Sequence, residues 1–254
     1  MSEQMAERKI LDGRVALITG ASRGIGRSVA KCFSEHGAHV IITARTQGAL
    51  EDLDDEMRSL GHAATLVPCD LTEPGIIDKI KGAIFQRFGK LDILVGNAGV
   101  LGTLDPIAQI DPKDWQRVID VNLTVNWQLI RAMDSLLRAS DAGRAIFVSS
   151  SVGHQARAGW STYAVSKAAL EMTANIYAEE TRDSNILVNM INPGGTRTQM
   201  RAKAMPGENP YDIKSPDAIT HLFLELASPA YQKTGQMIEA EQELAAGHVG
   251  YIST

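Results

Sequence analysis

The chain has 254 residues, 44% of them hydrophobic, and a formal net charge of -5, which suits one large α/β domain with a full core. The acidic balance argues against nucleic acid or an anionic membrane surface as the main partner, and no run approaches the roughly twenty apolar residues of a membrane span. Two cysteines, Cys32 and Cys69, read as buried thiols of a cytoplasmic protein rather than a disulfide framework, and the six histidines lack metal-ligand spacing, so no metal is expected.

Residues 1–12 mix charge with few apolar groups and lack the apolar stretch of a signal peptide, so they read as a loose lead-in. Val15-Ala16-Leu17-Ile18-Thr19 is a short apolar run, followed by Gly20-Ala21-Ser22-Arg23-Gly24-Ile25-Gly26 and a helical pattern through Val29, Ala30 and Phe33. That is strand, tight turn and helix, with Gly37 as the helix stop. The rhythm repeats as strand 39–43, helix 48–60, strand 64–68, helix 74–88 and strand 93–96. One long helical region over 113–138, strand 145–149, helix 160–181 and strand 187–191 follow. Residues 199–214 carry two prolines and a glycine and read as a mobile substrate flap, before a helix at 216–226 and a last strand at 236–239. Continuously apolar strands alternating with helices predict a doubly wound, mostly parallel sheet covered on both faces, in a single domain over 1–254. Ligands are expected at the carboxyl ends of its strands.

Gly20, Gly24 and Gly26 sit at a strand-to-helix turn, where backbone N–H groups can approach a pyrophosphate at the helix N-terminus, with Ser22, Arg23 and Ile25 in the same turn. A ribose-binding carboxylate would stand near position 44, but Ala44 is there and Arg45 follows. Arg45, with Arg23, offers guanidinium groups suited to a 2′-phosphate, so NADP(H) is expected over NAD(H). Asp70, before Leu71 at the third strand's end, either caps the next segment or accepts an adenine amino group. Asn97, Ala98 and Gly99 after the fourth strand let the backbone pass close to a flat ligand. Ser149, Ser150 and Ser151 bring hydroxyls to the same rim, where one could hold a carbonyl oxygen and the oxyanion it becomes. No G-x-S-x-G elbow accompanies them, which disfavours a serine hydrolase. Tyr163 and Lys167, four residues apart in a helical segment, share one face, and a phenol of ordinary pKa about 10 becomes useful for proton transfer when an ammonium favours its anion.

Together these residues resemble the short-chain dehydrogenase/reductase family from about residue 11 to 235. The resemblance is carried by TGASRGIG from Thr19, NAG from Asn97, Asn122 in DVNL, YAVSK from Tyr163, NPGGTRT from Asn192 and a serine thirteen residues before the tyrosine, which selects Ser150. It implies a Rossmann-type sandwich of seven strands in order 3-2-1-4-5-6-7 and a homotetramer or dimer built on the long helices flanking the serine strand. It also implies that Tyr163 exchanges a proton with the substrate oxygen, that Ser150 holds that oxygen, and that Lys167 lowers the tyrosine pKa and bonds the nicotinamide ribose. Asn122 would hold a relay water, while Pro193, Gly194, Gly195, Thr196 and Thr198 would pass beside the nicotinamide. A narrower likeness, in SSSVGHQARAGWSTYAVSK and NPGGTRTQMRAKAMP, points to a bacterial branch of undetermined substrate. The ending Ile238-Glu239-Ala240-Glu241-Gln242 departs from the family's usual C-terminal strand and puts its dimer contact in doubt.

The expected function is an NADP(H)-dependent carbonyl reductase or alcohol dehydrogenase acting on a small molecule. The specific rival is a 3-oxoacyl-[acyl-carrier-protein] reductase, for which Arg197, Arg201 and Lys203 could meet an acidic carrier. A non-catalytic NADP-binding sensor is the alternative from another class, disfavoured by the presence of Asn122, Ser150, Tyr163 and Lys167. The flap, Leu101, His154 and Trp160 are expected to shape the substrate pocket. The glycine spacing argues against a nucleotide-sugar epimerase.

Overall fold

Strand formation follows burial on both faces, which favours the β-branched and apolar runs at β1 (Val15–Thr19), β4 (Ile93–Gly96) and β5 (Gly143–Val148), where every residue is buried. The computed structural model describes residues 9–246. With β2 (His39–Ala44), β3 (Ala64–Pro68), β6 (Ile186–Asn192) and β7 (Met237–Glu239) they form a seven-stranded sheet in the order 3-2-1-4-5-6-7. Every pairing is parallel, so the sheet is wholly rather than mostly parallel.

Alternate residues of each strand enter opposite cores. Ala16 and Ile18 of β1 join Val29 and Phe33 of α1 (Gly24–Glu35), Leu50 and Met57 of α2 (Gln47–Ser59) and Phe223 of the later helix 220–227. Val15 and Leu17 face Ile80 and Ile84 of α3 (Ile76–Phe88), and on the same side lie α5 (Val125–Arg138) and α6 (Ser161–Glu180). Because β1 is flanked by β2 on one side and β4 on the other, the winding reverses there and opens a crevice at the strands' carboxyl ends.

Three expectations are corrected. The region 113–138 is not one regular helix: α4 (Pro112–Ile119), capped by the Asp111 carboxylate on Lys113 N and Asp114 N, passes through a π-type turn (Asp120–Thr124) into α5. Such turns displace one backbone carbonyl from the regular ladder, and the Asn122 carbonyl accepts instead from Asn126 Nδ2 at 2.8 Å. Residues 199–214 are not a featureless flap: they open with α7 (Gln199–Ala204), whose Arg201 N is capped by Thr198 Oγ1. The segment is tied at its base where Arg197 N donates to Lys214 O at 2.9 Å, and across its middle by two Arg201–Glu208 hydrogen bonds of 2.6 and 2.7 Å. Of the lead-in, residues 1–8 lie outside the described residues, but Leu11 is fully buried and its N–H donates to His36 O, so its end is fixed in the core. The chain continues through α8 (Thr220–Ala227) and α9 (Ala240–Ala245), a helix the sequence pattern did not single out.

Candidate active site

A cleft of about 1740 Å³ runs along the carboxyl ends of the strands. Its lining includes Gly20, Ser22, Arg23, Gly24, Ile25, Arg45, Asp70, Leu71, Asn97, Ala98, Gly99, Ser150, Tyr163, Lys167, Pro193, Gly194, Thr196 and Thr198, so nearly all the predicted residues meet on one surface. Gly26 and Asn122 are the exceptions, buried beneath it.

At one end, the glycine turn is set by close backbone approach. Gly20 has φ +67°, and a Cβ on Gly26 would lie 2.4 Å from Asn97 Nδ2 and 2.6 Å from Gly20 O. Asn97 Nδ2 in turn donates to Thr19 O at 2.8 Å, while the Thr19 hydroxyl receives Asn97 N and Ala98 N, both at 3.0 Å. The turn after β1 and the turn after β4 are thus a single hydrogen-bonded unit. Arg23 and Arg45 are exposed on the cleft and neither is hydrogen-bonded to a carboxylate among the described residues. Asp70 accepts Thr72 N and Thr72 Oγ1 through one oxygen, which lowers its pKa, with Arg45 lowering it further. It is therefore a turn cap whose second oxygen forms no hydrogen bond among the described residues.

At the other end, α6 presents Tyr163 and Lys167, 7% and 3% exposed. Burial pushes the phenol up to about 12, opposed by a hydrogen bond with Ser150. Burial likewise brings the ammonium down to about 8, opposed by the charge of Glu171. Lys167 Nζ donates to Val148 O at 2.7 Å and stands 5.7 Å from the Tyr163 ring centroid. Desolvation thus raises the phenol above its ordinary value of about 10, so it is protonated at neutral pH.

Asn122 acts through others. Its Oδ1 accepts Val100 N at 2.8 Å, and its Nδ2 donates to Val100 O at 2.9 Å and Ser166 Oγ at 3.0 Å. Ser166 Oγ donates onward to Tyr163 O at 2.7 Å, so the amide links the 97–100 turn to the backbone of the tyrosine.

Residues that the sequence reasoning passed over complete the site. Glu171, one turn beyond Lys167, accepts the Ser149 hydroxyl and faces His154 Nδ1 at 3.3 Å. Glu239, at the end of β7, accepts Asn192 Nδ2 at 2.6 Å, and Glu241 of α9 accepts Gly195 N at 2.8 Å. The spacing Tyr163, Lys167, Glu171 at i, i+4, i+8 was the available signal for the first. The other two stand in the ending 238–242, marked only as a departure from the family's usual strand, and reach their partners across 47 and 46 residues.

A family model described as short chain dehydrogenase matches residues 14–209. The chain belongs to the short chain dehydrogenase family. It is 37% identical over 239 residues to the uncharacterized oxidoreductase YciK of Escherichia coli K12, covering 92% of this chain and 94% of the relative. It is 34% identical over 190 residues to the 3-oxoacyl-[acyl-carrier-protein] reductase FabG of Salmonella typhimurium, covering 74% and 76% of the two chains. The crystal structure of a short chain dehydrogenase from Shigella flexneri complexed with NADP superposes with a TM-score of 0.89 at 37% identity, over 92% of this chain and 100% of that one. One from Escherichia coli CFT073 complexed with NADPH gives 0.89 at 38% identity, over 92% and 99%. The chain thus shares both the sheet order and the oxidoreductase family of these proteins. No helix among the described residues is long and apolar enough to cross a membrane.

Proposed function

We propose that the protein is an NADP(H)-dependent oxidoreductase that interconverts a carbonyl and a secondary alcohol. The observation that carries this reading is the Ser150–Tyr163–Lys167 group, with its tyrosine and lysine buried, at one end of a cleft whose other end is the glycine turn. The residues present fit a dinucleotide: Gly26 has no room for a Cβ where the glycine turn packs on the turn after β4, which supports a backbone-lined cradle above it, and Arg23 and Arg45 are uncommitted guanidinium groups on the same cleft that suit a 2′-phosphate. Bound there, NADPH would supply the hydride.

The chain's own residues would supply the rest. Ser150 offers a hydroxyl to the substrate oxygen, and Tyr163, protonated at neutral pH, gives that oxygen its proton. The proton is replaced from Lys167, whose ammonium is loosened by burial and lies one helical turn away. Asn122 fixes the backbone of Tyr163 through Ser166 and fits a positioning role, with its main-chain carbonyl at the π-type turn as the candidate relay atom. Removing the phenol hydroxyl in Tyr163→Phe should lower NADPH-dependent reduction of small ketones and aldehydes by about 10²–10⁴-fold, the usual share of a general acid. NADPH affinity should stay within about twofold, and retained turnover would sink the mechanism; a sensor would bind NADPH with no turnover in either form.

The FabG likeness supports reduction of a 3-oxoacyl thioester as a second reading. The pairing of Arg201 with Glu208 weakens it, because this leaves Arg197 and Lys203 as the exposed cations expected to meet an acidic carrier. NADPH oxidation with small ketones but none with an acetoacetyl thioester would remove that reading. Trp127 of α5, with Met172 and Ile176 of α6, exposes 50%, 61% and 50% of its surface, which supports a homo-oligomer through these helices.

A further inference from the structure

His154 follows Ser150 in the loop after β5 and lies between two acids from distant elements. Its Nδ1 is 3.3 Å from Glu171 Oε1 on α6, and its Nε2 is 3.6 Å from Glu239 Oε1 at the end of β7. An ionised carboxylate only accepts hydrogen bonds, and a neutral imidazole has only one N–H. Both nitrogens can face carboxylates favourably only when both carry protons, as in the imidazolium.

Each acid has a second partner, Glu171 through the same oxygen that faces His154 and Glu239 through its other oxygen. Glu171 accepts the hydroxyl of Ser149, the neighbour of Ser150, and sits four residues after Lys167 on the tyrosine helix. Glu239 accepts Asn192 Nδ2, while Asn192 Oδ1 accepts Gly194 N at 3.1 Å in the 193–198 turn. The loop passes close to this acid, since a Cβ on Gly153 would meet Glu171 Oε1. A continuous chain therefore runs Ser149, Glu171, His154, Glu239, Asn192, Gly194, and ties together the three segments that carry the serine, the tyrosine and the turn after β6.

We propose that His154, bridging Glu171 and Glu239 as an imidazolium, is a positioning residue that holds Ser150 and Tyr163 in register with the 193–198 turn. The proposal rests on the oxidoreductase reading above. The charged groups around His154 are Glu171 and, one turn before it, Lys167 on α6, Glu239 at the end of β7, and Arg157 on its own loop, whose guanidinium lies over Trp160. Neither Lys167 nor Arg157 can replace the bridge, because Lys167 is spent on Val148 O and Arg157 is drawn to Trp160 and Met205.

The test uses the full chain and three variants, His154→Phe, His154→Arg and the double variant Glu171→Gln with Glu239→Gln. Arginine carries a permanent charge and several donors, so it can serve both carboxylates at any pH where a phenyl ring serves neither. Ring-nitrogen NMR of labelled histidine, with the His154 signal identified by its absence from the phenylalanine variant, should show both nitrogens protonated at pH 6. That state should be lost on substituting Glu171→Gln together with Glu239→Gln. With NADPH and the small ketone best reduced by the wild type, His154→Phe should lower kcat by about tenfold with KM unchanged, the signature of misplaced rather than missing groups. His154→Arg should restore kcat to within about twofold. A neutral ring at pH 6, or equal turnover by the phenylalanine and arginine variants, would overturn the proposal. If the wild type reduces no carbonyl, the oxidoreductase reading fails instead, and the NMR result still decides whether the bridge exists.

Discussion

Lys167 should destabilise the fold it serves. Its side chain is 3% exposed, and burial brings its pKa from 10.5 to about 8, so keeping it charged inside the protein costs about 3 kcal/mol at neutral pH. Replacing it by Lys167→Met, which keeps the apolar stem, removes that cost but leaves Val148 O without its partner, an opposing loss of about 1–3 kcal/mol. At pH 7 the variant should therefore be about as stable as the wild type or more so, although inactive. The pH dependence is sharper because the carbonyl's loss is the same at every pH and cancels. Between about pH 8 and 10.5 the unfolded chain holds a proton on this lysine that the folded chain has released, so wild-type stability must rise with pH relative to the variant. Below that window the wild type carries the whole penalty, and above it none. Urea unfolding followed by tryptophan fluorescence at steps from pH 7 to 10.5 measures the difference, which should close by about 3 kcal/mol in favour of the wild type. Parallel stability curves, or a wild type that weakens relative to Lys167→Met as pH rises, would refute the reasoning.

The same ammonium should govern the rate. For carbonyl reduction, kcat/KM should fall as pH rises through about 8, where Lys167 loses its proton while Tyr163 stays protonated to about 12; a profile flat to pH 10 would remove Lys167 from the proton route. Arg45→Ala should weaken NADPH by about tenfold, the loss of a charge-assisted contact, and leave NADH nearly unchanged; equal losses measured by cofactor titration would mean that Arg45 does not read the phosphate. Gly26→Ala puts a methyl 2.6 Å from a backbone oxygen and 2.4 Å from Asn97 Nδ2, and should lower stability by about 1–3 kcal/mol. A thermal midpoint equal to the wild type's would show that the two turns can yield.

The sheet was legible because its inner strands, buried on two faces, are nearly continuous apolar runs, as in Val15 to Thr19. The glycine turn was legible because its demands are local: a turn that tolerates no Cβ at Gly26 writes itself into neighbouring positions. The pairing of Tyr163 and Lys167 was legible for the same reason, but its electrostatics were not. Four-residue spacing brings an ammonium near a phenol, whereas the surrounding burial sets which way each titrates. The π-type turn at Asn122 left no mark in the hydrophobic period, since one extra backbone residue shifts the helix face without altering composition. The order in 199–214 was missed because prolines and a glycine signal loops, while the fastening at Arg201–Glu208 and Thr196–Lys214 depends on tertiary closure.

The reach of Glu241 back to Gly195, 46 residues earlier, bears on how the molecule comes into being. The β1–β2 half of the sheet and its glycine turn emerge from the ribosome first, and their hydrogen-bond partners in the turn after β4 follow before β5. The turn after β6 emerges without the acids that hold it, since Glu239 and Glu241 lie almost at the end of the described chain. At about 5–20 residues per second, the nascent protein passes on the order of several seconds with the cradle already synthesised and this turn still unbraced. The two ends of the cleft are thus completed at different times in the protein's life, with the end that meets the Ser150–Tyr163 group assembled last.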